Sequence, residues 1–543
     1  MRSRRLAPMT PLRRSVRLAA LALVLVLALT LPVPAQAPKS GGVLTIHPLT
    51  APPSLSPHEE STIATVQQVS ACYSNLVYFD PAKKQESIDT VIPELAEKWS
   101  WQDNYRNLVV LLRRDVTWHD GKPLTSRDVK YTFDVVRGAP DAPVKLRINP
   151  RKLWYENVEA IEAPDPHTVV FRLKRPQPSL LLLLASGYSP IYPAHVPIAD
   201  LKTTCVGTGP YKLKDYRPGE FVEYVRNPNY FVKGRPYLDG VKWVHIKDRS
   251  TQIAALQAGQ LDVAGSGWNR TNAETAKKGK PELTVIESDS NVNDNVLINA
   301  KRAPLTDERV RRAINLALDR KAYLVGPRQG AATFGGAMQP RPSGVWGLPQ
   351  AEVGTLPGMG DPVKQKAEAK KLLAAAGYGP SNPMKLTVST RALAIYVDTA
   401  SWMVDQLRQV GIDAVLEQIE TGVWHPKMTR LDFQVALNLT GTAVDDPDAM
   451  FFENYRCGSQ RNFSGYCSEE IDRLMVEQSQ TLDRAKRLKL VHEIDRKLQA
   501  EGARPILGWG KQYAVYWPRV KAFAQHENSI FNVSRLQDVW LDK

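Results

Sequence analysis

Cysteine is scarce in this chain, with four among 543 residues. That is too few for a disulfide-built scaffold, and Cys72, Cys205, Cys457 and Cys467 do not form the two close pairs of a structural zinc site. Histidine is also thin. His47, His58, His119, His167, His195, His245, His425, His492 and His526 are scattered, and no two stand at the helical spacing of a metal-binding pair. No Gly-x-Ser-x-Gly elbow, His-Glu-x-x-His or Gly-x-Gly-x-x-Gly after a strand occurs. Gly207-Thr208-Gly209-Pro210-Tyr211 lacks the Gly-Lys-Ser/Thr that would make it a phosphate loop. A secreted hydrolase, the distant alternative among function classes, therefore lacks its nucleophile or metal signature. No catalytic residue, metal or cofactor is expected.

The chain also lacks a basic stripe. Its formal net charge is +15, but six of those charges are arginines within residues 1–37, a segment without lysine or acid. The remaining excess of nine is spread out, which counts against a nucleic-acid partner. Long apolar runs are missing after residue 37; Leu180–Ala185 is short and follows prolines. The one extended run, Leu18–Leu31, is interrupted only by Thr30. As a helix it would span roughly 21 Å, short of a bilayer core of ~30 Å. A basic head, a short apolar centre and a small-residue exit predict a cleaved export signal over 1–35. Val33-Pro34-Ala35 is the preferred cut; Ala35-Gln36-Ala37 would leave Pro38 beside the cut bond. No cysteine near the cut provides a lipoprotein site. The arginine pairs at 4–5 and 13–14 only weakly suggest the twin-arginine route, and general export is expected. The mature chain is expected in the periplasm.

What is present fits a globular protein: 43% hydrophobic and 23% charged residues, long enough for two or three domains. Strand and helix signals alternate, so an α/β class is predicted. Gly42–Ile46, Leu108–Arg113, Val169–Leu173, Leu261–Val263 and Ile412–Glu417 read as strands, and 289–299 as an extended crossing. Helices are predicted near 61–75, from Thr125 with Asp128 as a capping box, over 251–258, from Thr306, over 363–376, and along the stripe Val397, Ala400, Met403, Val404, Leu407 and Val410. Leu488, Val491, Ile494 and Leu498 make another stripe. Residues 326–361 read as a long loop. Met403 belongs to a core, and His119 to a turn that precedes a capped helix. Cys457 and Cys467 enclose nine residues rich in glycine, serine and asparagine, and an exported chain meets an oxidising compartment, so a disulfide between them is predicted. Cys72 and Cys205 are expected as buried thiols. The acidic cluster Asp445-Asp446-Pro447-Asp448 fits either a cation or ammonium site or a helix cap before Ala449. Twelve tryptophans and nineteen tyrosines supply flat surfaces for a cleft.

Several stretches, in order along nearly the whole mature chain, resemble one family. They are Pro93–Trp99, Trp118–Pro123 with Asp128-Val129 and Tyr131–Phe133, Val206–Tyr211, Arg226–Tyr230, Ala254–Asp262, Asp307–Leu318, Leu372–Tyr378, and Asp446–Asp448 followed by the Cys457/Cys467 loop. Each is weak alone; together they resemble the bacterial extracellular solute-binding proteins of the peptide, dipeptide and nickel class (family 5), the capture subunits of ABC importers. The resemblance implies a two-lobed periplasmic binding protein fold with an inserted subdomain and a ligand cleft between the lobes. It places lobe I at 36–71, 205–288 and 508–543, the insertion at 72–204, and lobe II at 289–507. Crossings are expected near Ser290–Asn295 and Arg504–Gly508. The implied partners are a small, peptide-like solute and an inner-membrane permease with its ATPase subunits, with the binding protein a monomer. Nickel, haem, sugar or another small molecule is the alternative ligand.

The same resemblance implies ligand contacts at Ser54, at Asn293, Asp294 and Asn295, and along Asn438–Asp445, including Thr440, Gly441, Thr442 and Asp445 itself. Trp346 is an aromatic candidate on the long loop. Family peptide binders carry a carboxylate four residues before the proline of the Asp-Pro step, where it pairs with the ligand's α-ammonium. Here that position is Ala443. If the segment is extended, Asp445 points to the same side, roughly 6–7 Å further on. The usual pairing is therefore absent, and an N-blocked peptide or a non-peptide solute is expected to bind at least as well as a free dipeptide.

Overall fold

The computed structural model describes residues 37–60, 62–502, 504–528 and 535–543. The export signal and the preferred cut lie outside the described residues. Among the described residues no helix is long and apolar enough to cross a membrane.

An 11-stranded mixed sheet organises the chain. Its first half is built on Val43–Ile46, which pairs in parallel with Gly240–Val244 and touches Val263. In the other half, Lys385–Arg391 lies parallel to both Asp413–Ile419 and Val435–Gly441. Two long strands, Thr284–Ile298 and Ile506–Tyr516, run antiparallel and join the halves. Their register shifts between Asp289 and Asn293, and Val292–Ile298 continues against Val435–Gly441. Such an irregularity bends a strand and re-aims its side chains. The crossings expected near 290–295 and 504–508 fall on or just before these two strands.

Each half packs its own core. Val296, Val310, Ile314, Val388, Met403 and Leu407 are buried together in one, and Leu44, Tyr211, Val222 and Trp243 in the other. A separate four-stranded antiparallel sheet contains Ala96–Gln102, Asn107–Leu112, Thr168–Leu173 and Val158–Asp165. Helix Ser126–Arg137 packs against it. That helix starts as predicted, because Asp128 accepts the Thr125 backbone N–H at 2.8 Å, and it ends at left-handed Gly138.

Other predicted elements shift by a few residues. The helix expected from Thr306 runs over Glu308–Ala317, because the carboxylate of Asp307 caps it by accepting the Arg309 N–H. The 251–258 helix is Arg249–Gln257 behind Asp248, and the 363–376 helix is Pro362–Ala375 behind Asp361. The long loop contains a two-residue strand, Ala332–Thr333, and one short helix, Gln350–Val353.

The cysteine assignment needs one correction. Cys457 and Cys467 are joined, as predicted, but Cys72 and Cys205 are joined too, across 133 residues. The chain after Cys205 is laid against residues 71–72 by main-chain bonds. Gly209 N–H donates to the Cys72 carbonyl at 2.8 Å, and Tyr211 N–H to that of Ala71 at 3.0 Å. Gly207 permits the approach, since a Cβ there would sit 1.9 Å from the Cys72 carbonyl oxygen. His119 is structural, as expected. Its Nε2 lies 3.0 Å from the Gly209 carbonyl, and burial lowers its pKa to about 4.

Candidate functional site

Ligands of α/β proteins gather outside the carboxyl ends of parallel strands. Here Arg391 ends one such strand, Gly441 ends its neighbour, and Thr421 follows the third after two residues. Arg391 and Gly441 border a cavity of about 210 Å³ whose opposite wall comes from the other half of the sheet: Ile46, His47, Trp243, Trp268 and Tyr513. The cavity thus lies between the two halves joined by the crossing strands.

Its charge is lopsided. Arg461 pairs with Glu453 at 2.8 Å, and Arg151 approaches the same carboxylate at 3.8 Å while stacking on Tyr188. Arg328 is held by Asp294, and Lys511 by Asp289 at 2.8 Å. Arg391 differs. Its guanidinium donates to Thr421 Oγ1 at 2.8 and 3.2 Å and to the Tyr396 hydroxyl at 2.9 Å, and no carboxylate pairs with it among the described residues. It is buried at 3% exposure, so it lacks the solvent that would otherwise stabilise its charge. His425, on the same wall, is held well below its usual pKa, first by burial and then by Arg391, Arg461 and Arg151. It is neutral, and both ring nitrogens are buried without a hydrogen-bond partner among the described residues. His47 is also neutral, its pKa lowered to about 4 by burial, with Nε2–H donating to the Ile246 carbonyl. The wall therefore suits a solute that brings an anionic group.

Of the residues expected to touch ligand, Asn438 and Gly441 line this cavity. Asn293, Asp294, Asn295 and Thr440 stand in a buried network behind it. Asp294 accepts from Arg328 and from the Tyr323 hydroxyl at 2.8 Å. Thr440 Oγ1 takes bonds from Asn295 and Asn438, both at 3.0 Å, and from Arg504. Thr442 is buried and pairs through its main chain with Asn291. Trp346 and Asp445 hold one another instead of the cavity. The Trp346 indole N–H donates to the Asp445 carbonyl at 3.0 Å, and Asp445 Oδ2 accepts Val345 N–H at 2.9 Å. Burial pushes the Asp445 carboxyl up to about 7.

The segment is not extended beyond Gly441. Asp446 N–H turns back to the Val444 carbonyl at 2.8 Å, so Asp445 does not repeat the direction of Ala443, which packs into a core. The rest of the acidic cluster is structural. Asp446 caps helix Pro447–Asn454 and pairs with Arg487, while Asp448 accepts from Ser179, Gln478 and Ser479.

Ser54 borders a second cavity, of about 510 Å³, with Glu59, Glu60, Lys202, Tyr216 and Thr421. Its hydroxyl donates to Glu60 at 2.8 Å. His425 borders both cavities.

Sequence reasoning missed Arg391, His425, Glu453 and Arg461. Only Arg391 carried a usable signal. It is the charged residue that ends the strand Lys385–Arg391, in which apolar Leu386 and Val388 alternate with polar residues, where the carboxyl-end rule places ligands. His425 and Arg461 reach the cavity from a helix and a disulfide-closed loop, with no local motif to mark them.

Residues 90–462 match the family of bacterial extracellular solute-binding proteins, family 5 (middle region). The match covers more than half of the chain, and the protein belongs to that family. It is similar to the oligopeptide-binding protein AppA of Bacillus subtilis, at 24% identity over 536 residues, 94% of this chain and 93% of AppA. It is also similar to a probable di/tripeptide-binding protein of Pseudomonas aeruginosa, at 26% identity over 79% of this chain and 82% of that protein. AppA in complex with a nonapeptide superposes with a TM-score of 0.80, over 93% of this chain and 100% of that one. AgaA from A. tumefaciens R10 in complex with agropinic acid superposes with 0.79 at 22% identity, over 92% and 99%. The fold is the two-lobed one of periplasmic binding proteins.

Proposed function

We propose that the protein is the capture subunit of an ABC importer and binds a short peptide or a similar small solute bearing a carboxylate. The observation that carries this is Arg391, a buried guanidinium on the cavity wall without a carboxylate partner among the described residues. A charge so placed is stabilised when ligand supplies the missing anion. The peptide-binding relatives support the peptide class. The rest of the reading rests on the leader pattern and on the family resemblance: export through the predicted leader with cleavage after Ala35, residence in the periplasm as a monomer, and delivery to a permease with its ATPase subunits. Lobe I at 36–71, 205–288 and 508–543, the insertion at 72–204 and lobe II at 289–507 would close around the solute. Asn438 and Gly441 are its proposed contacts beside Arg391.

A second reading is favoured by Ala443. No carboxylate stands at the family's ammonium position, and Asp445 is held elsewhere. A non-peptide carboxylate solute fits the same wall, and AgaA shows the fold bound to agropinic acid.

Native mass spectrometry of protein purified without refolding should reveal a retained acidic solute. Calorimetry with tri-alanine and its C-terminal amide then tests the anion. The free acid should bind at least about tenfold tighter, the size of one charge-assisted contact, and Arg391→Gln should abolish that difference. Equal affinity for acid and amide would refute the role of Arg391.

A further inference from the structure

The second cavity shares His425 with the first as a lining residue, and nothing in the reading above uses it. Thr421 Oγ1 accepts from Arg391 and also borders the second cavity, so the space beyond begins one side chain away from the proposed anion contact. His425 borders both spaces and presents two buried ring nitrogens without hydrogen-bond partners among the described residues. A neutral imidazole carries one donor and one acceptor, and leaving both unmade is costly. That cost is relieved if a polar chain passes it.

The charged groups of the second cavity divide unevenly. Glu59 is engaged, with Lys202 at 3.2 Å and the Arg147 main-chain N–H at 3.0 Å. Glu60 receives only the Ser54 hydroxyl, at 2.8 Å, and no lysine or arginine lies within ion-pair distance of it among the described residues. The exposed Arg147 and the Glu59-bound Lys202 both stand beyond ion-pair distance, though the fields of both reach Glu60, as does that of Glu59 with opposite sign. Glu60 is half-buried, and burial holds its carboxyl above the usual range. The lining otherwise mixes prolines, Tyr216 and threonines, a surface suited to a flexible methylene arm.

We propose that the two cavities form one binding tract, in which the solute's carboxylate lies at Arg391 and a basic arm, an amine or guanidinium, runs past His425 to Glu60. This deepens the proposed function and rests on it. It names the solute class as zwitterionic, with the positive group on a side arm and not at the α-position that Ala443 leaves unserved.

The probes are N-acetyl-dialanyl-lysine and N-acetyl-dialanyl-norleucine, which differ in the terminal charge of one arm. In calorimetry the lysine peptide should bind the native protein about tenfold tighter or better, and the ratio should shrink with added salt. Glu60→Gln, which keeps an acceptor for Ser54, should bring the ratio close to one. Gly422→Leu should do the same by filling the second cavity: Gly422 borders it, and a Cβ there meets nothing within 4 Å. Unchanged melting temperatures would show that both variants fold. Equal affinity of the two peptides for the native protein, or a ratio that survives both variants, would overturn the assignment while leaving the peptide reading in place. Binding of neither peptide would overturn both.

Discussion

Removing the two disulfides separately gives a test with opposite expectations for sequence proximity and for energy. The Cys457–Cys467 bond closes a loop of 10 residues and the Cys72–Cys205 bond a loop of 133. If a cross-link acts by restricting the unfolded chain, loop length sets its worth, about 3 kcal/mol for the first and about 5 kcal/mol for the second. The two loops do not overlap in sequence, so the effects should add. Packing acts in the same direction. Cys72 is fully buried against the main chain of Gly207 and Gly209, and Cys205 is 4% exposed. The experiment compares Cys72→Ala/Cys205→Ala and Cys457→Ala/Cys467→Ala with the oxidised protein by urea unfolding. The 72/205 variant should lose more, by roughly 2 kcal/mol or more. A larger loss in the 457/467 variant would refute the argument from loop length. An unchanged 72/205 variant would refute the bond itself.

Two further outcomes are expected. Asp445 is protonated in the fold up to about pH 7 but ionised in the unfolded chain above its ordinary value near 4. The folded state thus holds this extra proton, so the contribution of Asp445 falls as pH rises through that window, by up to about 1.4 kcal/mol per unit, against the opposite slope of the buried neutral histidines His47, His119 and His425. Asp445→Asn should remove this contribution, so that the stability of the native protein relative to the variant declines as pH rises from about 4 to about 7; parallel pH profiles for the two proteins, followed by urea unfolding, would count against it. A bound solute should draw the two halves together and raise the melting temperature by linkage; an unchanged radius of gyration in small-angle scattering with a proven ligand would speak against closure.

How much of this was legible depended on how far each cause acts along the chain. The turn at Trp118–Pro123 and the helix it leads into were readable because Thr125 and Asp128 bond to each other's main chain within three residues. The strand that crosses between halves was readable from Val296, Leu297 and Ile298, all fully buried. The Cys72–Cys205 bond was not, because its partners are brought together only by the return of the chain at Gly207–Tyr211.

The site divides in the same way. Of the stretch Asn438–Asp445, Asn438, Leu439 and Gly441 border the cavity, and the chain bends away before Asp445. Asp294 lies on the crossing strand near Ser290 and Val292, which face the cavity, yet it is bonded to Arg328, which lines the cavity in its place. A resemblance locates the backbone of a site. Which side chains reach the ligand is decided by neighbours that sequence separates widely, such as Arg504 with Asn295 and Thr440, at 209 and 64 residues. The network behind the cavity explains why the asparagines of the crossing strand read as ligands. They are polar, buried and central, but their hydrogen bonds go to Thr440, Arg504 and one another. Arg391 has polar neighbours as well, yet those are neutral oxygens, and on the proposed reading its charge is left for the solute to meet. A buried polar residue whose needs are met costs little, whereas a buried charge left unpaired is costly, and that contrast is why the solute's anion is proposed to lie at Arg391.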